Sequence, residues 1–186
     1  MDNSNLILHR LASNPDEEYT LHELSQKLGI PYTTFLREIK RIESAVRIRK
    51  KGRSKLISIR YNELARAYAT IASYTKTQQA FQNYPVLAKI AEETTGIALV
   101  FGSYAKGTQT KDSDIDILVV GESNTRRFSK QQLLFKKQIN PITITHEEFA
   151  AMLRADEENV VKQALRDHII LSGHEAFWKE VSDVLG

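Results

Sequence analysis

Two aspartates, Asp114 and Asp116, stand two residues apart in the string Asp112-Ser113-Asp114-Ile115-Asp116-Ile117-Leu118-Val119-Val120. Acidic and apolar residues alternate and then give way to an apolar run, the pattern of a strand with a polar mouth and a buried body. Successive strand side chains point to opposite faces, so the two carboxylates share one face while Ile115 and Ile117 enter the core. Held side by side they repel, and one tends to keep its proton. A divalent cation removes that conflict, and Mg2+ (or Mn2+) bound by one or two carboxylates plus substrate phosphates is the usual arrangement at nucleotide sites.

Upstream, the run Ile97-Ala98-Leu99-Val100-Phe101 has the length and content of a buried strand and passes directly into Gly102-Ser103, the serine standing eleven residues before Asp114. Glycine at that junction lets backbone approach a ligand, and exposed N–H groups with a serine hydroxyl can hold phosphate oxygens. Taken singly, Ser-Asp before a strand is also ordinary turn chemistry.

The string Gly102-Ser103-Tyr104-Ala105-Lys106-Gly107, followed by Ser113-Asp114-Ile115-Asp116, resembles the signature of the nucleotidyltransferase superfamily related to DNA polymerase β, and is most similar to its small "minimal" members. The resemblance covers about residues 84–186. It implies an α/β domain with a mixed sheet. It also implies that Asp114 and Asp116 are catalytic metal ligands, that Gly102, Ser103 and Ser113 lie against the nucleotide, and that Lys106 neutralises phosphate. Active relatives supply a third carboxylate from a later strand as general base. The next strand-like segment, Ile139-Asn140-Pro141-Ile142-Thr143-Ile144-Thr145, contains no acid. Asn140 or Thr143 takes that position, and neither accepts a proton at neutral pH. Glu147 and Glu148 follow in His146-Glu147-Glu148-Phe149, which reads as a helix start, where acids favour the dipole.

The elements that must position this site read as helix and strand in turn. Asn62 to about Tyr84 has no Gly or Pro and is expected to form one connecting helix, with Leu64, Tyr68, Ile71 and Phe81 and the interleaved Ala as its apolar stripe, facing both domains or a second copy of the chain. Pro85 opens a further helix through Val86, Leu87, Ile90 and Ala91, ended by Gly96. Glu158 through Leu171 and His174 to Leu185 are expected to be helical, with Ile169-Ile170-Leu171 a buried link and Trp178 in a core or interface. His146, His168 and His174 lack ligand-like spacing, so each is expected to be structural or exposed.

The first sixty residues carry a different pattern. Leu6, Ile7, Leu8 and Leu11 mark a helix stopped by Asn14-Pro15-Asp16. Thr20 with Glu23 is a capping box opening a second helix through Leu21, Leu24 and Leu28, ended by Gly29. Pro31 begins a third, whose apolar side is Phe35, Leu36, Ile39 and Ile42. Val46 and Ile48, then Leu56, Ile57 and Ile59, flank the basic turn Lys50-Lys51-Gly52-Arg53-Ser54-Lys55, which predicts a hairpin. Helix-turn-helix plus basic hairpin resembles the winged-helix DNA-binding domains. On that resemblance Tyr32, Thr33, Thr34, Arg37, Lys40 and Arg41 face the major groove, and Arg49, Lys51, Arg53 and Lys55 form the wing. The expected division is residues 1–61, winged helix; 62–83, connecting helix; 84–186, minimal nucleotidyltransferase-like domain; the fold class is α+β.

Charge follows the same division. The 186 residues carry a formal net charge of +3. Residues 31–60 alone hold 10 Lys/Arg against 2 Asp/Glu, the electrostatic footprint of a polyanion-binding face. With 0 Cys, disulfide scaffolds, cysteine-ligated zinc and thiol nucleophiles are excluded. No run approaches the roughly 18 apolar residues of a membrane span, and no basic start followed by an apolar stretch marks a signal peptide. A soluble cytoplasmic protein is expected.

Three functions remain in view. The first is a DNA-binding regulator that senses a nucleoside triphosphate, with homodimers meeting two half-sites. The second is an active enzyme moving a nucleotidyl group from a triphosphate to a hydroxyl of protein, nucleic acid or small molecule. The third is an antitoxin-like role, because small members of the superfamily pair with HEPN-type toxins; the amino-terminal winged helix departs from that pattern.

Overall fold

The computed structural model describes residues 2–121 and 128–186. The chain packs as two compact units, Met1–Ala72 with Leu185–Gly186, and Ser73–Val184. The architecture is α+β, with two sheets among the described residues.

In the first unit, α1 (Asn3–Ser13), α2 (Leu21–Lys27) and α3 (Tyr32–Arg41) bury Ile7, Leu8, Leu11, Leu24, Phe35 and Ile39 in one core with Ile42, Val46 and Ile57. The capping box at the start of α2 is present in both directions: Glu23 N–H donates to Thr20 Oγ1 at 3.1 Å and Thr20 N–H to Glu23 Oε2 at 2.8 Å. The Thr20 backbone N–H, with the Thr20 side chain beside it, holds the Glu23 pKa below its usual value. β2 (Val46–Lys51) and β3 (Ser54–Ile59) pair antiparallel around Gly52, whose φ is +60°. A two-residue strand β1 (Tyr19–Thr20) adds to β3 and gives the order β1-β3-β2. Leu36 and Ile48 were expected inside and are 40% and 45% exposed. Leu36 sits one step off the buried stripe of α3, beside Phe35, whereas Ile48 shares the face of buried Val46 and Ile57 but lies on β2, an outer strand of the sheet.

α4 (Glu63–Asn83) is continuous, and its expected stripe is buried in part: Tyr68 and Phe81 are half-buried, each packed against the core of its own unit. Ala65, Ala69, Ala72, Ser73, Thr77 and Ala80 are buried, whereas Leu64 and Ile71 are 40% and 52% exposed. The inward positions beside Tyr68 and Phe81 are thus taken by small side chains, and Leu64 and Ile71 fall on the outer face.

In the second unit, β4 (Ile97–Phe101), β5 (Ile115–Val120), β6 (Ile139–Ile144) and β7 (Ile169–Ser172) form a mixed sheet in the order β6-β5-β4-β7. β4 is antiparallel to β5 and β7; β5 and β6 run parallel. Both faces are covered, since successive residues Ala98, Leu99 and Val100 of β4 are all 0% exposed. Around the sheet lie α5 (Pro85–Ala91), α6 (Gly102–Lys106), α7 (Ser129–Phe135), α8 (His146–Arg154), α9 (Val160–Arg166) and α10 (His174–Leu185). Pro141 costs no sheet hydrogen bond to a neighbour because β6 is an edge strand. The expected helical link at Ile169-Ile170-Leu171 is instead β7: α9 stops at Arg166, and the three apolar residues join the sheet. Trp178 is core, 1% exposed, with its indole N–H donating to Ser73 Oγ at 2.8 Å.

Candidate functional site: paired aspartates at the mouth of the sheet

The register across three strands brings the chemistry together. Phe101, the last residue of β4, pairs with Asp116 of β5, and Asp116 pairs with Asn140 of β6. The carboxy-terminal end of β4 therefore lies level with the amino-terminal ends of β5 and β6. β5 begins at Ile115, so Asp114 precedes the strand rather than belonging to it. Both carboxylates still converge: the Asn140 side-chain N–H2 donates to Asp114 Oδ2 at 3.4 Å and to Asp116 Oδ1 at 3.3 Å. Asp114 is exposed and Asp116 half-buried.

Gly102 is fixed by the same geometry. Its φ is +69°, and a Cβ built there would lie 2.7 Å from Asp116 Oδ2. Only glycine both adopts that backbone conformation at low cost and lets the carboxylate sit against the main chain. Ser103 follows in the single turn of α6, half-buried, and exposed Lys106 closes that turn. Ser113 lies in the loop that delivers Asp114; its Oγ accepts from Thr110 N–H at 2.8 Å, so this hydroxyl shapes the loop.

Two residues near the pair carry no motif of their own. Lys137 Nζ donates to the carbonyls of Lys111 and, at 3.3 Å, of Ser113, and lies 5.9 Å from the Tyr104 ring centroid. It anchors the loop before Asp114 and adds positive charge beside it. Gln138 Nε2 donates to Asn140 Oδ1 at 3.0 Å and so orients the amide that faces the aspartates. Neither was found by sequence reasoning, because both act through the β5–β6 register.

Of the two candidates for the third-carboxylate position, Asn140 stands beside the pair. Thr143 pairs with Val119, three residues and about 10 Å further along the strand. Glu148 closes a capping box with Thr145, N–H to Oε2 2.7 Å, at the far end of β6. Glu147 begins the same helix, so neither glutamate reaches the aspartates. The aspartates fit a divalent cation that takes its remaining ligands from phosphate and water: two hard oxygen donors on one side, a main-chain approach held open by glycine, and an amide between them. Among the described residues no group of three or more His, Cys, Asp or Glu forms a cage.

On the first unit, Tyr32, Thr33, Arg37, Lys40 and Arg41 are exposed along α3 and Thr34 is half-buried. Glu38 turns inward, 4% exposed, accepting from Ser4 Oγ at 2.9 Å and Arg41 Nη1 at 2.8 Å, with Arg37 Nε 3.8 Å away. On the hairpin, Arg53 and Lys55 are exposed, and Lys50 stands directly opposite Lys55, a like-charge pairing that a polyanion would relieve. Arg49 and Lys51 both pair with Glu18, Lys51 at 2.8 Å. No local pattern points to that acidic partner, which lies more than thirty positions away.

Among the described residues no helix is long and apolar enough to cross a membrane. No curated protein and no solved structure matches the chain. Residues 89–181, half of the chain, match the family model of the nucleotidyltransferase domain, a family whose members act on nucleoside triphosphates and generally use divalent metal ions. That span holds the Gly102-Ser103 turn, both aspartates and all four strands of the mixed sheet, and the chain belongs to the nucleotidyltransferase domain family.

Proposed function

We propose that the carboxy-terminal unit binds a nucleoside triphosphate as its Mg2+ or Mn2+ complex, and that the amino-terminal unit is a winged-helix module that carries this sensor to DNA as a transcription regulator. The functional division is residues 1–61, the connecting helix 62–83, and 84–186. Asp114 and Asp116 hold the cation, Gly102 and Ser103 cradle the outer phosphates, Lys106 lies where it can neutralise them, and Ser113 shapes the loop. When bound, the cation shields the triphosphate charge and polarises the phosphorus that a hydroxyl would attack. The observation that carries this reading is the 2.7 Å spacing between a Cβ at Gly102 and Asp116 Oδ2, a contact that only an open glycine backbone permits.

Asn140 decides between binding and transfer. An amide takes no proton at neutral pH, so the incoming hydroxyl has no base at the position next to the aspartates. Binding without turnover is therefore the favoured reading. Turnover, the second reading, keeps the support of both aspartates.

The DNA half of the proposal rests on the outward basic residues of α3 and of the hairpin. Leu64 and Ile71, exposed on α4, are where two copies would pair as a homodimer. A cytoplasmic location suits a chain with 0 Cys that acts on DNA.

Titration calorimetry with ATP, GTP, CTP and UTP, with and without Mg2+, tests the sensor. Uptake of at least one triphosphate that needs Mg2+ and is lost in Asp114→Asn and Asp116→Asn is the expected result; uptake indifferent to both changes overturns it. Incubation with α-labelled triphosphates and cell extract should leave no acceptor labelled. Label dependent on the two aspartates would establish transfer instead. Duplex DNA retention should weaken in Arg37→Ala and Lys51→Ala and fall steeply with salt.

A further inference from the structure

Asn140 faces the aspartates with its nitrogen. Both contacts are long, 3.3 and 3.4 Å, and both acceptors are carboxylate oxygens. Behind it, Gln138 Nε2 donates to Asn140 Oδ1 at 3.0 Å. Gln138 is exposed on the approach to β6 and Asn140 is half-buried at its mouth, so neither amide is locked by packing.

A primary amide has a donor end and an acceptor end of nearly the same size. With the carboxylate pair alone in front of it, the donor end is the one that meets acceptor oxygens. With a divalent cation between those carboxylates, the donor end is repelled and the oxygen becomes a hard ligand of the kind Mg2+ and Mn2+ take. Turning Asn140 then leaves its nitrogen towards Gln138, whose own amide can present its oxygen in return. A single amide backed by a carboxylate or an ammonium could be satisfied in one orientation only. Two amides in series are satisfied in both.

We infer that Gln138 and Asn140 form a coupled amide pair that reverses when the divalent cation binds, so that Asn140 Oδ1 replaces the carboxylate missing from this position as a neutral ligand. The inference rests on the reading of Asp114 and Asp116 as a cation site. It deepens that reading by assigning the site a third oxygen donor that holds charge without taking a proton. Asn140 is a ligand and Gln138 a positioning residue.

The sign of one substitution separates this from a merely structural amide. Asn140→Leu keeps the side-chain size but has neither donor nor acceptor. If the oxygen ligates, Mg2+-dependent uptake of ATP or whichever triphosphate wild-type binds weakens about tenfold, the lower end for losing a group that supports a metal. If the amide only neutralises the aspartates, its removal frees them and uptake tightens. Asn140→Asp restores a charged oxygen and should tighten uptake relative to wild-type. In proton–nitrogen spectra of full-length protein, the side-chain amide signals of Asn140 and Gln138 should move together, with one midpoint, on adding Mg2+ and a non-hydrolysable triphosphate.

Static Gln138 signals, or unchanged or tighter uptake by Asn140→Leu, with Asp116→Asn still abolishing binding, overturn the amide pair and leave the cation site intact. Wild-type-like uptake by Asp116→Asn overturns both. Fluorescence of Trp178 in the native range certifies that each variant is folded.

Discussion

Replacing Gly102 by alanine separates backbone strain from site geometry, because Gly107, five residues on, supplies a matched control. The two have φ values of +69° and +71°. A Cβ at Gly107 meets nothing within 4 Å, whereas one at Gly102 lies 2.7 Å from Asp116 Oδ2 and 3.6 Å from its Cγ. Forcing an alanine into the left-handed region costs about 1 kcal/mol at either position. At Gly102 the aspartate must also be pushed aside, at a further cost of about 1–2 kcal/mol, the lower part of the usual range for overpacking because the obstructing atom is a side-chain end. Gly107→Ala should therefore destabilise by about 1 kcal/mol and Gly102→Ala by about 2–3 kcal/mol. Trp178, 1% exposed and the protein's one tryptophan, reports urea unfolding of the unit that holds both sites. The double variant Gly102→Ala, Asp116→Ser removes the obstructing carboxylate and should return to the cost of Gly107→Ala. Equal losses in the two single variants would refute the close approach of Asp116 to the main chain.

Two further outcomes follow from buried and exposed charge. Burial pushes the His174 pKa down to about 4 from an ordinary 6.5. Thr77 Oγ1 donates to the Ile170 carbonyl at 2.7 Å and so accepts from His174 Nε2–H at 3.0 Å, while Tyr74 stacks on the ring at 3.9 Å. The unfolded chain takes up this proton below about pH 6.5 and the folded one only near 4, so stability is full above 6.5 and falls as pH drops towards 4. The loss is on the order of 2 kcal/mol after allowing for solvent screening. Unfolding midpoints of His174→Gln, whose amide can still donate to Thr77, should lack that slope, and an identical slope would assign it to other groups. On the hairpin, Glu18→Gln releases Arg49 and Lys51 and should raise duplex DNA affinity several-fold at low salt, a gain that shrinks with ionic strength; electrophoretic mobility shifts that show no gain would mean that the ion pairs do not compete with phosphate.

What could be read from the chain was what short-range chemistry dictates. The Thr20–Glu23 box, the Pro85 helix start and the Asp-x-Asp string are local, and each reappears in the structure. β1 has two residues and β7 four, too few to display a period, and both exist because another strand pairs with them. In α4 the pattern misled in part. Tyr68, Phe81 and the interleaved alanines of the expected stripe do turn inward, but Leu64 and Ile71, grouped with them on size, face out. At the site, the aspartates and glycine were evident from spacing, whereas choosing Asn140 over Thr143 required the parallel register of β5 and β6. Glu18 and Glu38 were likewise invisible, since their partners Lys51 and Ser4 are 33 and 34 positions away.

The most direct test locates the cation itself. Crystals of the full chain grown with Mn2+ and a non-hydrolysable nucleoside triphosphate should give one anomalous peak within coordination distance of both Asp114 and Asp116, with the triphosphate running from it to the Gly102-Ser103 turn. Triphosphate bound elsewhere on the molecule, or Mn2+ seated away from the two carboxylates, would contradict the assignment of this pocket.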